Sequence, residues 1–147
     1  MAQIADDKLS WQYNEETNSI ATIVKHLNGN MLSRWTDFMT TDGEKEWRQR
    51  DAEFARMDHN VEDEILLREI LMKKWNEGWA CLYSALDSLK EEDLQKEIFI
   101  RKEGLTVMDA VNRQLAHYSY HVGQIVFIGK MIVGEKWNSL SIPKKNE

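Results

Sequence analysis

The segment that most constrains the fold spans residues 106–133. Its apolar side chains recur every three or four residues, which is the spacing of one face of an α helix. Thr106 is a suitable N-cap with Asp109 three residues on, and Gly134 supplies a stop. The sequence therefore predicts a long final helix with these inward positions: Val107, Val111, Gln114, Tyr118, His121, Ile125, Ile128 and Ile132.

Two further helices are predicted upstream of it. The first begins at Asn18 or Ser19, either a good N-cap, and ends near Thr40. The second begins at Asn60, which has an acidic residue three positions later as in a capping box, and ends near Leu89. Both carry apolar side chains at helical spacing, so three long helices account for most of the chain.

The remaining segments are predicted to be short connections. Residues 42–61 are dense in charge, and we expect a packed, partly helical connection with Trp47 and Phe54 as apolar anchors. Residues 90–94 suggest a single turn. Residues 98–106 suggest a minor hairpin with its turn at Glu103 and Gly104, and the tail after Gly134 is expected to be loop.

Composition supports one all-α domain over residues 1–147. One proline and seven glycines are too few for a many-stranded protein, and 42% hydrophobic with 30% charged residues is typical of a globular chain. The net charge of −6 argues against nucleic-acid binding. No stretch is apolar enough for a membrane helix and no signal peptide is visible, so we expect a cytoplasmic protein. Cys81 is the single cysteine and is interpreted as a buried thiol.

His117 and His121 are four residues apart on the final helix and therefore project from the same face. Such a pair also occurs by chance on exposed helices, but His121 interrupts the apolar stripe, where a buried imidazole needs a hydrogen-bond partner or a metal. His26 lies on a stripe of small or polar residues in the first helix, next to Gly29 and Asn30, and this stripe either lines a pocket or is a polar surface edge. His59 is interpreted as a surface residue.

Three imidazoles would leave a coordination position open for water or substrate, and zinc and nickel both suit such ligands. Other metal schemes are excluded by the neighbouring residues. Tyr118 follows His117, so the glutamate of a His-Glu-x-x-His site is missing, and no Glu-x-x-His motif is present for a di-iron centre.

The segment from Asn18 to Asn30 with His26, then Ser33-Arg-Trp and Asp42-Gly-Glu-Lys, followed downstream by His117-x-x-x-His121, resembles the DinB-like family of metalloenzymes, in an uncharacterised bacterial branch. This resemblance implies an up-down-down-up four-helix bundle with a divalent metal, zinc or nickel, bound by His26, His117 and His121. It also implies frequent homodimers. Because the first helix of such a bundle would be reduced to a few residues here, we expect a dimer or poor solubility.

Two functions follow as hypotheses. Characterised relatives of the DinB-like kind include bacillithiol S-transferases and a mycothiol-dependent isomerase, so the resemblance suggests a metal-dependent transfer of a low-molecular-weight thiol to a small electrophile. Gln114 and Tyr118 could orient a ligand or act only in helix packing; no catalytic residue is assigned. The alternative is a non-catalytic bundle that the metal braces, acting in stress response or protein association.

Overall fold

A computed structural model describes residues 1–55 and 63–142, and the side chains of residues 63–65 are left out of the description. The protein is mostly helical with one small sheet. Its elements are α1 (Ile20–Trp35), α2 (Arg50–Phe54), α3 (Asp63–Asp87), β1 (Glu97–Ile100), β2 (Glu103–Thr106) and α4 (Val107–Val133). Short 3-10 turns lie at Asp6–Lys8, Glu91–Asp93 and Gly134–Lys136.

Helix α1 is the most buried element, because α3 packs along it and α2 and α4 cover other parts of its surface. Ser19 caps it as predicted, and its hydroxyl accepts the backbone N–H of Thr22 at 3.1 Å. The helix ends at Trp35, before the predicted end near Thr40. Asp37 has a φ of 48°, and its carbonyl accepts the backbone N–H groups of Thr40 and Thr41, so a turn replaces the last helical turn.

The segment before α1 folds back on the core. Ile4 and Leu9 are buried, and the carbonyl of Leu9 accepts the backbone N–H of Ala21 at 2.9 Å. Arg68 of α3 donates to the carboxylate of Asp6 and to the carbonyl of Ile4. This segment thus contributes apolar side chains to the hydrophobic core.

The hairpin is present, but the predicted turn at Glu103 and Gly104 is wrong. Ile100 pairs with Glu103, so Arg101 and Lys102 form the turn, with φ values of 56° and 65°. Left-handed backbone is unfavourable for such residues. The carboxylate of Asp42 stabilises the turn by accepting both backbone N–H groups, at 2.8 and 2.7 Å.

The other helix boundaries are close to the predicted ones. Helix α4 has the predicted limits, and Thr106 accepts the backbone N–H of Asp109 at 3.1 Å. Helix α3 ends two residues before Leu89, while its proposed cap Asn60 lies outside the described residues, as does His59. Trp47 is 56% exposed, so it is not the predicted apolar anchor. None of the helices in the described part has the length and apolar character needed to cross a membrane.

Candidate metal centre

The three predicted histidines meet between α1 and α4. The Nε2 atom of His117 lies 3.2 Å from Nε2 of His26 and 3.1 Å from Nε2 of His121. His117 and His121 are on the same face of α4 because they are four residues apart, and His26 reaches them from the facing helix α1. His26 and His121 are buried, and His117 is partly exposed.

This arrangement fits a single metal ion. At the metal–nitrogen distance of about 2.0–2.1 Å typical of zinc, neighbouring nitrogens lie about 3.3–3.4 Å apart in a tetrahedral site. In an octahedral site the separation of adjacent nitrogens is about 2.8–3.0 Å at the same bond lengths. The observed 3.1 and 3.2 Å fall between these values, and the possible ligand atoms of the three histidines all lie within 4.8 Å of one another. Among the described residues, the group of possible metal ligands consists of these three histidines. The three imidazoles could therefore hold a metal ion and leave coordination positions free.

Two of the imidazoles are oriented through their other ring nitrogen. The Nδ1–H of His26 donates to the carboxylate of Glu53 at 3.0 Å, and the Nδ1–H of His121 donates to the side-chain oxygen of Gln124 at 2.8 Å. These bonds favour the tautomers whose Nε2 carries a lone pair, which is the form that binds a metal. Nδ1 of His117 is buried and has no partner among the described residues.

Glu53 is itself held by a buried guanidinium. Arg48 donates to both carboxylate oxygens, at 2.8 and 2.9 Å, and its side chain is only 2% exposed. Burial alone would raise the pKa of Glu53, but the hydrogen bonds from Arg48 and His26 outweigh it and lower that pKa. Glu53 therefore stays an anion that orients His26.

Gly29 makes room for this carboxylate. A Cβ atom at position 29 would overlap Oε1 of Glu53 and would lie 2.8 Å from its Cδ. A glycine inside a helix costs about 1 kcal/mol relative to alanine. The close approach of Glu53 to α1 explains why glycine occupies this position.

Burial also favours the neutral forms of His117 and His121. It lowers the pKa of His117 to about 4, with further lowering by His121 and His26 and by two nearby guanidinium groups. Burial likewise lowers the pKa of His121, although the hydrogen bond to Gln124 opposes the shift. Neutral imidazoles are the metal-binding form, so a metal ion meets little competition from protons here.

The histidines line a cavity of about 350 Å³. Gln114 also lines it, and its side-chain oxygen is buried without a partner in the described part of the chain. Tyr118 does not line it: its hydroxyl accepts from Nε1 of Trp35 at 2.9 Å and donates to Asn30 at 3.3 Å. Burial raises the pKa of Tyr118. Of the two candidate orienting residues, Gln114 therefore faces the site and Tyr118 is bonded within the core.

Cys81 lies away from the histidines. It is partly exposed and borders a separate cavity next to the end of α1. Its thiol is within 3.7 Å of the hydroxyl of Thr36 and 3.9 Å of the carbonyl of Met31. The buried apolar position predicted for Cys81 is thus only partly realised.

Sequence reasoning missed Glu53, Arg48 and the other arginines at the cavity. Glu53 is one of many charged residues in the connection before α3, and no periodicity marks it. Gly29 gives a weak indication in the sequence. Because glycine is unfavourable inside a helix, its presence there indicates that another group packs closely against α1.

The fold and the site together define a mostly helical protein with a three-histidine cluster that could hold a metal ion. The chain belongs to the family described as protein of unknown function (DUF1572), whose model matches residues 1–146. No curated protein and no solved structure matches the chain significantly.

Proposed function

We propose that this protein binds one divalent metal ion, zinc or nickel, through His26, His117 and His121, and uses it in catalysis on a small molecule. The observation that carries the proposal is the convergence of three Nε2 atoms, together with Nδ1 hydrogen bonds that orient two of the rings. Three protein ligands and an adjoining cavity are typical of a reactive ion, whereas structural sites usually have four protein ligands.

The reaction we propose is the transfer of a low-molecular-weight thiol to a small electrophile. A divalent ion bound there supplies Lewis acidity, which lowers the pKa of a thiol. In the overall reaction the thiol proton leaves to solvent, sulfur bonds to the electrophilic carbon, and the leaving group departs with its electron pair. The residues described here hold the imidazoles in place and border the cavity, and no proton-transferring residue is assigned.

The resemblance to DinB-like proteins supports this reaction class. We propose that the helices form the up-down-down-up bundle of that family. We also propose a cytoplasmic homodimer, and light scattering that gave a monodisperse monomer would contradict the dimer.

Metal content tests the site directly. Protein purified without a histidine tag should contain about one zinc or nickel ion per chain by elemental analysis. The variants His26→Ala, His117→Ala and His121→Ala should each lose it, whereas His59→Ala, which removes the remaining histidine, should retain it. Full metal content in His26→Ala and His121→Ala would show that the three-histidine site is wrong.

Activity tests the reaction separately. The metal-loaded protein should conjugate bacterial thiols to at least one of a panel of electrophiles, and the His121→Ala variant should not. Absence of conjugation across the panel in a fully loaded protein would refute the transferase proposal and leave the metal site standing. A large drop in melting temperature on chelation would instead favour an ion that braces the fold.

A further inference from the structure

Arginines surround the cavity that holds the histidines. Among the described residues, five guanidinium groups line it, and they come from four different parts of the chain: α1, α2 with the loop before it, the hairpin turn, and α4. They are Arg34, Arg48, Arg50, Arg101 and Arg113. This local excess of positive charge contrasts with the net charge of −6 of the whole chain.

Two of these arginines, Arg34 and Arg48, form hydrogen bonds within the protein. Arg48 is bonded to both oxygens of Glu53, as described above. Arg34 is buried and donates to the carbonyl of Gly43 and to the carboxylate of Glu44 at 3.0 Å. Because their hydrogen bonds go to Glu53, to Glu44 and to the carbonyl of Gly43, these two arginines offer few free donors to a ligand.

The three outer arginines keep donors available. Arg113 lies one helical turn before His117 and makes no hydrogen bond or ion pair in the described part of the protein. Arg50 lies over the ring of Phe54, 5.3 Å from its centroid, and its contact with the exposed Asp51 is long, at 3.9 Å. Arg101 donates through Nε to Glu44 at 2.9 Å.

Among the described residues that contact these arginines, there are fewer carboxylates than guanidinium groups. Glu44 contacts three guanidinium groups, those of Arg34, Arg48 and Arg101, and the hydrogen bonds from Arg101 and Arg34 lower its pKa against the effect of burial.

We propose that the cavity binds a small oxyanion-bearing molecule, one with a carboxylate or phosphate group, through Arg50, Arg101 and Arg113. Guanidinium groups bind both anions through paired N–H donors, and they do so best when partly removed from water. The remainder of the ligand then faces the imidazoles. This inference rests on the proposed metal site only for the orientation of the ligand, because the arginines and the cavity are present without it.

Calorimetric titration with simple probes tests the inference. Succinate and inorganic phosphate represent the two anions, and succinamide is the neutral control. We expect the zinc-loaded protein to bind at least one anion, more weakly as salt rises, and not to bind the diamide. Arg113→Gln and Arg50→Gln should each weaken the binding about tenfold or more, the effect of losing a charge-assisted pair. Lys102→Gln removes the same charge beside Arg101 without lining the cavity and should change the affinity less than twofold.

Failure of both anions to bind, equal binding of the diamide, or an equal loss in Lys102→Gln and Arg113→Gln would overturn the inference. Zinc content is measured in parallel on every variant. Normal zinc content without anion binding refutes the anion site alone, whereas arginine-dependent anion binding in a protein that binds no zinc refutes the metal site alone.

Discussion

The two sides of the histidine cluster are held in place by different means. On the α4 side, His117, His121 and Gln124 belong to one helix, and the hydrogen bond between His121 and Gln124 spans three residues. On the α1–α2 side, His26 is oriented by Glu53, which lies 27 residues away and is fixed by Arg48. Local helix geometry positions the first side, and tertiary packing around a buried ion pair positions the second.

This difference predicts unequal sensitivity to substitution. A contact within one helix persists as long as the helix does, whereas the Glu53 contact needs α1, α2 and the preceding loop to assemble together. Changes on the α1–α2 side should therefore affect folding and metal affinity together, and changes on the α4 side should affect mainly metal affinity.

The largest effect is expected for Glu53→Ala. It leaves the buried guanidinium of Arg48 without its main partner, which should cost roughly 3 kcal/mol of unfolding free energy. Loss of the group that orients His26 should also lower metal affinity by about 10- to 100-fold. Denaturant unfolding and zinc titration measure the two effects, and Glu53→Gln, which keeps a hydrogen-bond acceptor, should recover part of both. Unchanged affinity in Glu53→Ala would show that Glu53 does not orient His26.

Gly29→Ala tests the α1–α2 side by adding a Cβ atom next to Glu53. Alanine favours the helix by about 1 kcal/mol, but its Cβ would displace Glu53 from α1. We expect metal affinity to fall about tenfold and the melting temperature not to rise.

Gly123→Ala is the matched control for this substitution. A Cβ atom there meets nothing within 4 Å, so the change should stabilise α4 by roughly 0.5–1 kcal/mol and leave metal affinity unchanged. If both alanine variants gained stability and kept their affinity, the close approach of Glu53 to α1 would be unimportant.

His117 connects the two sides and should make the metal-free fold sensitive to acid. Its pKa is about 4 in the folded state against 6.5 ordinarily. Between these values the unfolded chain takes up a proton that the folded chain does not, so stability is complete above about pH 6.5 and falls as the pH drops towards 4. The full shift corresponds to about 3 kcal/mol, and because the ring is only half-buried we expect about 1–2 kcal/mol.

Urea unfolding of the metal-free protein at a series of pH values measures this dependence. His117→Gln should flatten the curve over the same range, because the variant has no imidazole at that position to protonate. A wild-type curve that is already flat between pH 6.5 and 4 would contradict the lowered pKa of the half-buried His117.

The same contrast explains what could be predicted from the sequence. The limits of α4 follow from its spacing, its Thr106 cap and Gly134, and the pair His117 and His121 follows from that helix. The polar stripe around His26 indicates this residue as the third possible metal ligand, because helical periodicity also shows which face of a helix is buried.

Contacts between distant segments could not be predicted in this way. Glu53 and Arg48 lie in a charged connection where nothing separates them from their neighbours, and only the fold brings them to His26. The hairpin turn is similar: Gly104 is the natural turn residue by propensity, but the carboxylate of Asp42, about sixty residues away, stabilises the turn at Arg101 and Lys102 instead.

The smallest effect is expected for Gln124→Ala. It removes one neutral hydrogen bond between two side chains of α4, which is worth about 1 kcal/mol of unfolding free energy at most. Metal affinity should fall by no more than about tenfold, because the helix still positions His121. Gln124→Glu should restore or exceed wild-type affinity, since a carboxylate then supports His121 as Glu53 supports His26. If Gln124→Ala instead reduced stability and affinity as much as Glu53→Ala does, helix geometry alone would not position the α4 side, and both sides would depend equally on their Nδ1 partners.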